Sequence, residues 1–430
     1  MQTIHPKITQ KLLLRSAIGI LVLAGLVMAF RWYKGQESDP QGNRTLNTAG
    51  WIAATETVGD GRHVIAFKPD GTIVRQPGIS PTTVDNDLAW RPDGNYIFFG
   101  SNREKQKFTI FRWFPDGSAA PEMRSLLGRP QSSPYFLNGD ASLGWDAVGL
   151  VTAGGIVMRY EPKRPALHQE LPPPDPKRRI AEDQEGGSVS PFEEQYERLG
   201  TSFRIAKWTP DRKAVFAVMR RDTGEILIYQ KLDFSTPQEG LPRPVIAGDR
   251  IDFDVDQHSG KVYFAVQNFQ WPDPNSVPPE FVKDGKVTVP FRHAVGVVDP
   301  ANMDQPAWLA KSTTDKECFG APAVDLAGDR LAFIRGAYAG NGNLTPDSVV
   351  AIILAGDQRG KGGVVAQGAV FEPAWSPDGQ KLAFARRESP TSRPIYVLDE
   401  LGATPRRLSP DTGVFGNPAF SPQSSSASGS

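Results

Sequence analysis

The chain has 430 residues, 39% hydrophobic and 10% aromatic, enough for one large core or two or three ordinary ones. Its 48 Lys and Arg are matched by 48 Asp and Glu, so the basic field that nucleic-acid binding requires is absent. The single cysteine, Cys318, permits neither an internal disulfide nor a thiolate metal cluster, and 42 Gly with 38 Pro predict many turns between short strands.

The first segment stands apart. Leu12–Phe30 is apolar except for Arg15 and Ser16, which is the length of a bilayer-spanning helix. Lys7, Lys11 and Arg15 precede or open it, and Trp32 and Tyr33 follow as interfacial anchors. The expectation is a cytoplasmic stretch at 1–11 and a transmembrane anchor or uncleaved signal at 12–31. The competing reading is a secretory signal cleaved near Val27-Met28-Ala29. Either one exports the remainder, placing it outside the cytoplasm, in the periplasm or at the cell surface of a bacterium. Residues 32–49, with "GQESDPQGNRTLN", read as a flexible linker.

From residue 50 the chain becomes a series of strands. "WIAATE" (51–56), "HVIAFKPDG" (63–71) and "TIVRQ" (72–76) are three strands that lack a first. A repeat then begins, aligned on a tryptophan with an apolar residue seven positions later: Trp90 with Ile97, Trp208 with Val215, Trp375 with Leu382. Weaker copies pair Phe136 with Leu143, Val255 with Val262 and Val324 with Leu331, and a half-copy ends on Phe420. These seven anchors lie 46, 72, 47, 69, 51 and 45 residues apart.

Each unit reads as four strands. In "PAWSPDGQKLAFARR", Pro-Asp-Gly supplies a fixed φ, a backbone-bonding carboxylate and a residue that accepts positive φ. "PIYVLDELG" and "TPRRLS" continue as third and fourth strands. Four short strands per unit of about 45 residues is the blade of a β-propeller, and the tryptophan ring fills the space between sheets. The fold class is therefore all-β, a propeller over 50–423. Seven four-stranded blades are expected, with six or eight left open. The Phe420 half-unit completes the N-terminal blade and removes the open edges, and 424–430 read as a disordered tail.

The unit "PAWSPDGQKLAFARRESPTSRPIYVLDELGATPRRLS" at 373–409 resembles the TolB-type propeller repeat, and the Trp90 and Trp208 units resemble it in part. The resemblance implies an exported propeller that serves as a protein-binding scaffold. Residues 32–49 are too few for the α/β domain that precedes the propeller in TolB, so the propeller is expected to stand without it.

Catalytic motifs are missing: there is no G-x-S-x-G, H-E-x-x-H, C-x-x-C or phosphate-cradling loop. The five histidines, 5, 63, 168, 258 and 293, show no ligand spacing, and His258 occupies a turn. Long connections at 171–200, 268–292 and 336–347 are all expected on one face of the disk. Their aromatics, Phe192, Tyr196, Trp271, Phe281 and Tyr338, are candidate contact anchors, or else they tuck onto the ring.

Three residues before each anchor stand Asp87, Ser133, Ile205, Asp252, Ala321, Glu372 and Asn417, and "IDFDVD" adds Asp254 and Asp256. Asp87, Asp252 and Glu372 would ring the channel mouth. They could hold a divalent cation such as calcium, a ligand's cationic group, or a catalytic pair. Alternatively they bond neighbouring backbone N–H groups. The expected function is a membrane-tethered scaffold that binds a protein or cell-envelope component through the insertion face, with no cofactor and no chemistry of its own. The alternatives are a glycoside or ester hydrolase or lyase, or a small-ligand or cation sensor, using the channel carboxylates.

Overall fold

The computed structural model describes residues 46–422 apart from 105–106, 118–119, 124–134, 137–148, 154–155, 161–168, 172–197, 201, 234, 274–276, 313 and 341. The anchor at 12–31, nearly all of the linker, most of the 171–200 crossing with Phe192 and Tyr196, and the tail at 424–430 lie outside the described residues. Among the described residues, no helix is long and apolar enough to cross a membrane.

β-Branched and aromatic residues alternate with Pro-Asp-Gly-type turns, and each repeat accordingly folds as an antiparallel meander. In the Trp375 unit, the strands Ala369–Trp375, Leu382–Arg387, Ile395–Leu398 and Arg406–Arg407 pair in that order. Its first turn is held by Asp378, which accepts from Ser376 Oγ at 2.6 Å and from the Gln380 N–H at 3.0 Å. Gly379 has φ 65°, and a Cβ there would strike the Asp325 carboxylate of the preceding sheet, so the turn needs glycine twice over. His258 sits exposed in the equivalent turn of the Val255 unit.

The described strands form six four-stranded sheets, one five-stranded sheet and a two-stranded ribbon. In each of the six, four consecutive strands of the repeat lie side by side, and first strands of successive sheets touch along the series from Ser202–Trp208 through Gly413–Phe420 to Asp85–Trp90 and Tyr135–Phe136. The fold is an all-β β-propeller. The five-stranded sheet joins the chain's two ends: Gly413–Phe420 pairs antiparallel with Ile52–Val58, followed by Gly61–Phe67 and Ile73–Arg75. Ser392–Arg393 adds a short parallel edge to it.

The core lies between sheets. Trp90, Ile97, Phe99 and Trp113 pack on Ala53, Val64 and Ala66 of the end-joining sheet. Trp375, Leu382 and Phe384 pack on Ala332, Ile334 and Val349 of the sheet before them. The anchoring indoles also bond across these seams. Trp90 Nε1 donates to the Ala419 carbonyl at 2.9 Å and Trp375 Nε1 to the Ala323 carbonyl at 3.1 Å. In both, the acceptor is the residue just before the preceding sheet's own anchor.

Four first strands are bulged at one repeat position. Asp87, Ala321, Glu372 and Asn417 have φ of 43°, 44°, 55° and 49°, and the pairing register slips beside each. Proline follows three of them, at 322, 373 and 418, where a strand tolerates it because the ladder is already broken. Asp252 differs, since Arg250–Val255 pairs with Val262–Gln267 without a slip.

Removing the indole N–H alone, as in Trp375→Phe, is expected to lower stability by about 1 kcal/mol, and Trp375→Ala by about 3–5 kcal/mol. Urea unfolding of both variants measures this; a Phe variant as stable as the parent would deny the seam bond any weight.

Candidate functional site

Each carboxylate assigned to the channel is bonded to the scaffold. Asp252, whose side chain is 20% exposed, pairs with Arg204 and Arg250, both at 3.3 Å, and accepts the Ala321 N–H of the next sheet at 3.3 Å. Burial pushes its carboxyl up, but the two guanidinium groups and the Ala321 N–H outweigh this and hold it below the ordinary aspartate value. Asp254 takes Lys207 Nζ at 2.7 Å and the N–H groups of Val255 and Val324, both at 3.0 Å. Glu372 accepts the Asn417 N–H at 2.5 Å. Asp87 accepts the Leu88 N–H at 3.1 Å.

Two of these N–H groups belong to Ala321 and Asn417, the bulge residues whose ladder pairing is broken. The carboxylate of the preceding sheet supplies what the bulge took away. Asp252 and Glu372 line one cavity of about 240 Å³ at the end of the disk that carries the connections between second and third strands, and Asp87 is not part of it. Asp254 lines a different cavity of about 440 Å³, at the turn end, among the anchors Trp208, Val255, Val324, Trp375 and Phe420. Asp256 is buried within its own turn, accepting the His258 N–H at 2.8 Å. Among the described residues, no group of three or more His, Cys, Asp or Glu could hold a metal ion. Burial pushes the Cys318 thiol up to about 12, which removes it as a nucleophile.

The connection 268–292 is built on aromatic packing. Phe269, Phe291 and Trp308 form a cluster, Trp271 packs edge-on to Phe269 at 5.3 Å, and Phe281 packs on Trp271 at 5.4 Å. Trp271 Nε1 donates to the Thr288 carbonyl at 2.9 Å. Trp271 and Phe281 therefore form the base of the connection and are tucked onto the ring. On this base stands the two-stranded ribbon, Val282–Lys283 paired with Lys286–Val287. Its turn is Asp284-Gly285, with φ of 51° and 70°, the two positive values that a two-residue hairpin requires. Val282 and Val287 face each other in register and are 44% and 53% exposed.

The stretch 336–347 is mostly strand: Arg330–Tyr338 and Leu344–Ile353 extend past the sheet and turn within five residues. Tyr338 is thus a strand residue. Its hydroxyl donates to the Asp249 carboxylate and its ring lies 4.7 Å from that of His293. His293 is buried, its Nδ1 accepts the Asn268 N–H at 3.1 Å, and burial lowers its pKa. The exposed valine pair was legible as "VKDGKV", an Asp-Gly turn between matched β-branched residues.

No protein-family model and no curated protein matches the chain. Among solved structures it is similar to TolB from Acinetobacter baumannii, with 13% identity and a TM-score of 0.45 over 87% of this chain and 67% of that one. It is similar to an oligogalacturonate lyase in complex with manganese, with 10% identity and a TM-score of 0.48 over 84% and 86%. A prolyl endopeptidase is similar at 13% identity and a TM-score of 0.46, over 87% of this chain and 49% of that one. These likenesses concern the fold.

A carboxyl held below its unfolded value contributes stability above that value and loses it as pH falls through the folded one. Asp252→Asn is expected to cost about 3 kcal/mol at pH 7. The difference from the parent should shrink as pH drops below about 4, which chemical denaturation across pH 2–7 would follow. A difference that stays constant across that range would contradict the assignment.

Proposed function

We propose that the chain is a membrane-tethered, extracytoplasmic propeller of seven blades that docks a protein or cell-envelope component and carries out no reaction. The observation that carries this reading is the ribbon 282–287, which holds an apolar pair in solvent on a rigid aromatic base. An exposed, preorganised apolar pair flanked by Lys283 and Lys286 suits a partner with an apolar spot and an acidic rim. Asp252, paired with two arginines and held below the ordinary aspartate value, is not poised as a general acid, which needs a carboxyl held protonated near neutral pH.

Six four-stranded sheets, with the end-joining sheet beside them, support a count of seven. The run Leu12–Phe30 supports the tether, and the linker 32–49 gives roughly 20–25 Å of reach by flexible-chain scaling. Phe192 and Tyr196 belong to the same proposed surface through the crossing 171–200.

Cross-linking and affinity capture from native membranes test the reading. The double variant Val282→Glu/Val287→Glu is expected to lose its partner at least tenfold, while Leu326→Glu, on an exposed turn elsewhere, keeps it. A chain lacking 172–197 tests Phe192 and Tyr196 in the same assay. Retention by the double variant, or loss from Leu326→Glu, would sink the proposal.

A further inference from the structure

The 268–292 connection leaves and rejoins its sheet at a clasp, and one member of that clasp titrates near neutral pH. Asn268 is held in the left-handed region, with φ of 49°. Its Nδ2 donates to Asp249 Oδ1 and its Oδ1 accepts from Arg292 Nη1, both at 3.2 Å. The Phe269 N–H donates to the Arg292 carbonyl at 2.8 Å. The Asn268 N–H donates to Nδ1 of His293 at 3.1 Å. Because Nδ1 accepts, the neutral ring carries its proton on Nε2, which is buried with no hydrogen-bond partner.

The groups around the ring are already committed. Tyr338, on the following sheet, lays its ring 4.7 Å from the imidazole and donates its hydroxyl to Asp249. Asp315 pairs with Arg292 at 3.3 Å. Ser312, opposite His293 in the ladder, donates its hydroxyl to the Thr314 carbonyl at 3.1 Å. Burial disfavours the charged ring, Arg292 adds to this, and together they outweigh Asp315 and Asp249, so the ring is held neutral below the ordinary histidine range. A second proton would occupy the lone pair that holds Asn268. The imidazolium would then bring two buried N–H groups without acceptors against the N–H of Asn268.

We propose that protonation of His293 unseats the 268–292 connection and with it the ribbon Val282–Val287. Trp271 lies three residues beyond Asn268, packs on Phe269 and Phe281, and donates to the Thr288 carbonyl, so the base of the ribbon shifts when Asn268 is released. The seated form refuses a proton that the open form accepts, so acid favours the open form. The seat is fully made above the ordinary histidine value of about 6.5, and the open population grows about tenfold per pH unit below it. The consequence for partner binding rests on the docking reading above. The seat itself does not, and it is read on the chain alone.

Hydrogen exchange of the full chain in detergent micelles, corrected for intrinsic rates and followed from pH 8 to 4, tests the proposal. The amides of Asn268, Phe269 and Thr288 are expected to lose about tenfold in protection between pH 7.5 and 5.5, while those of Ala321 and Asn417 hold theirs. His293→Gln keeps an acceptor for the Asn268 N–H and has nothing to titrate, so its protection should be equal at the two pH values. If that variant fails to fold, the onset in the parent decides: an onset near pH 6.5 supports the histidine, and one below about pH 5 assigns the loss to a carboxylate and overturns the proposal. Asn268 protection that follows Ala321 and Asn417 across the range, or the same loss in folded His293→Gln, would also overturn it. A valine double variant that keeps its partner would defeat the docking reading and leave this result untouched.

Discussion

A ring of sheets can close only if each seam satisfies the polar groups that neither sheet can satisfy alone. The first strands bear that demand most heavily, because the pairing register slips in five of those described, four of them at one repeat position. Each bulge interrupts its ladder locally. At Ala321 and Asn417 the bulge N–H is taken by Asp252 and Glu372 of the preceding sheet. In the opposite sense, the Trp90 and Trp375 indoles reach back to carbonyls of the sheet before them. Apolar packing supplies most of the free energy of burial, and these bonds set the order and spacing of the sheets.

Much of this was legible in the sequence, and the remainder was hidden for a physical reason. Trp90, Trp208 and Trp375, the Pro-Asp-Gly turns and the Phe420 half-unit announce strands, turns and the joining of the two ends, because those features are local. The fate of Asp252 and Glu372 depends on partners 69 and 45 residues away, so it could be posed only as an alternative to ligand binding. Pro322, Pro373 and Pro418 are local markers of the bulges that were open to reading. Tyr338 was expected in a loop because glycines and asparagines follow it, yet its strand runs on past the sheet and turns within a few residues.

The two ends of the disk differ in character. At the turn end, a cavity is walled by the anchoring aromatics and valines and by ion-paired Asp254. At the other end stand the valine ribbon on its aromatic base and the cavity that Asp252 and Glu372 line. Exposed apolar surface is a resource that binding draws on, and the ribbon lies outside the four-stranded sheets of the ring. Asp252, Asp254 and Glu372 are spent on the seams, while the ribbon projects from them.

Hydrogen exchange on the chain with the membrane fraction of its native cell added, compared with the purified chain alone, tests the proposed docking most directly. Slower exchange of the 282–287 amides is expected with that fraction present, with the seam amides of Ala321 and Asn417 equally protected in both. Identical exchange of the ribbon in the two settings, or protection confined to the turn end, would contradict it.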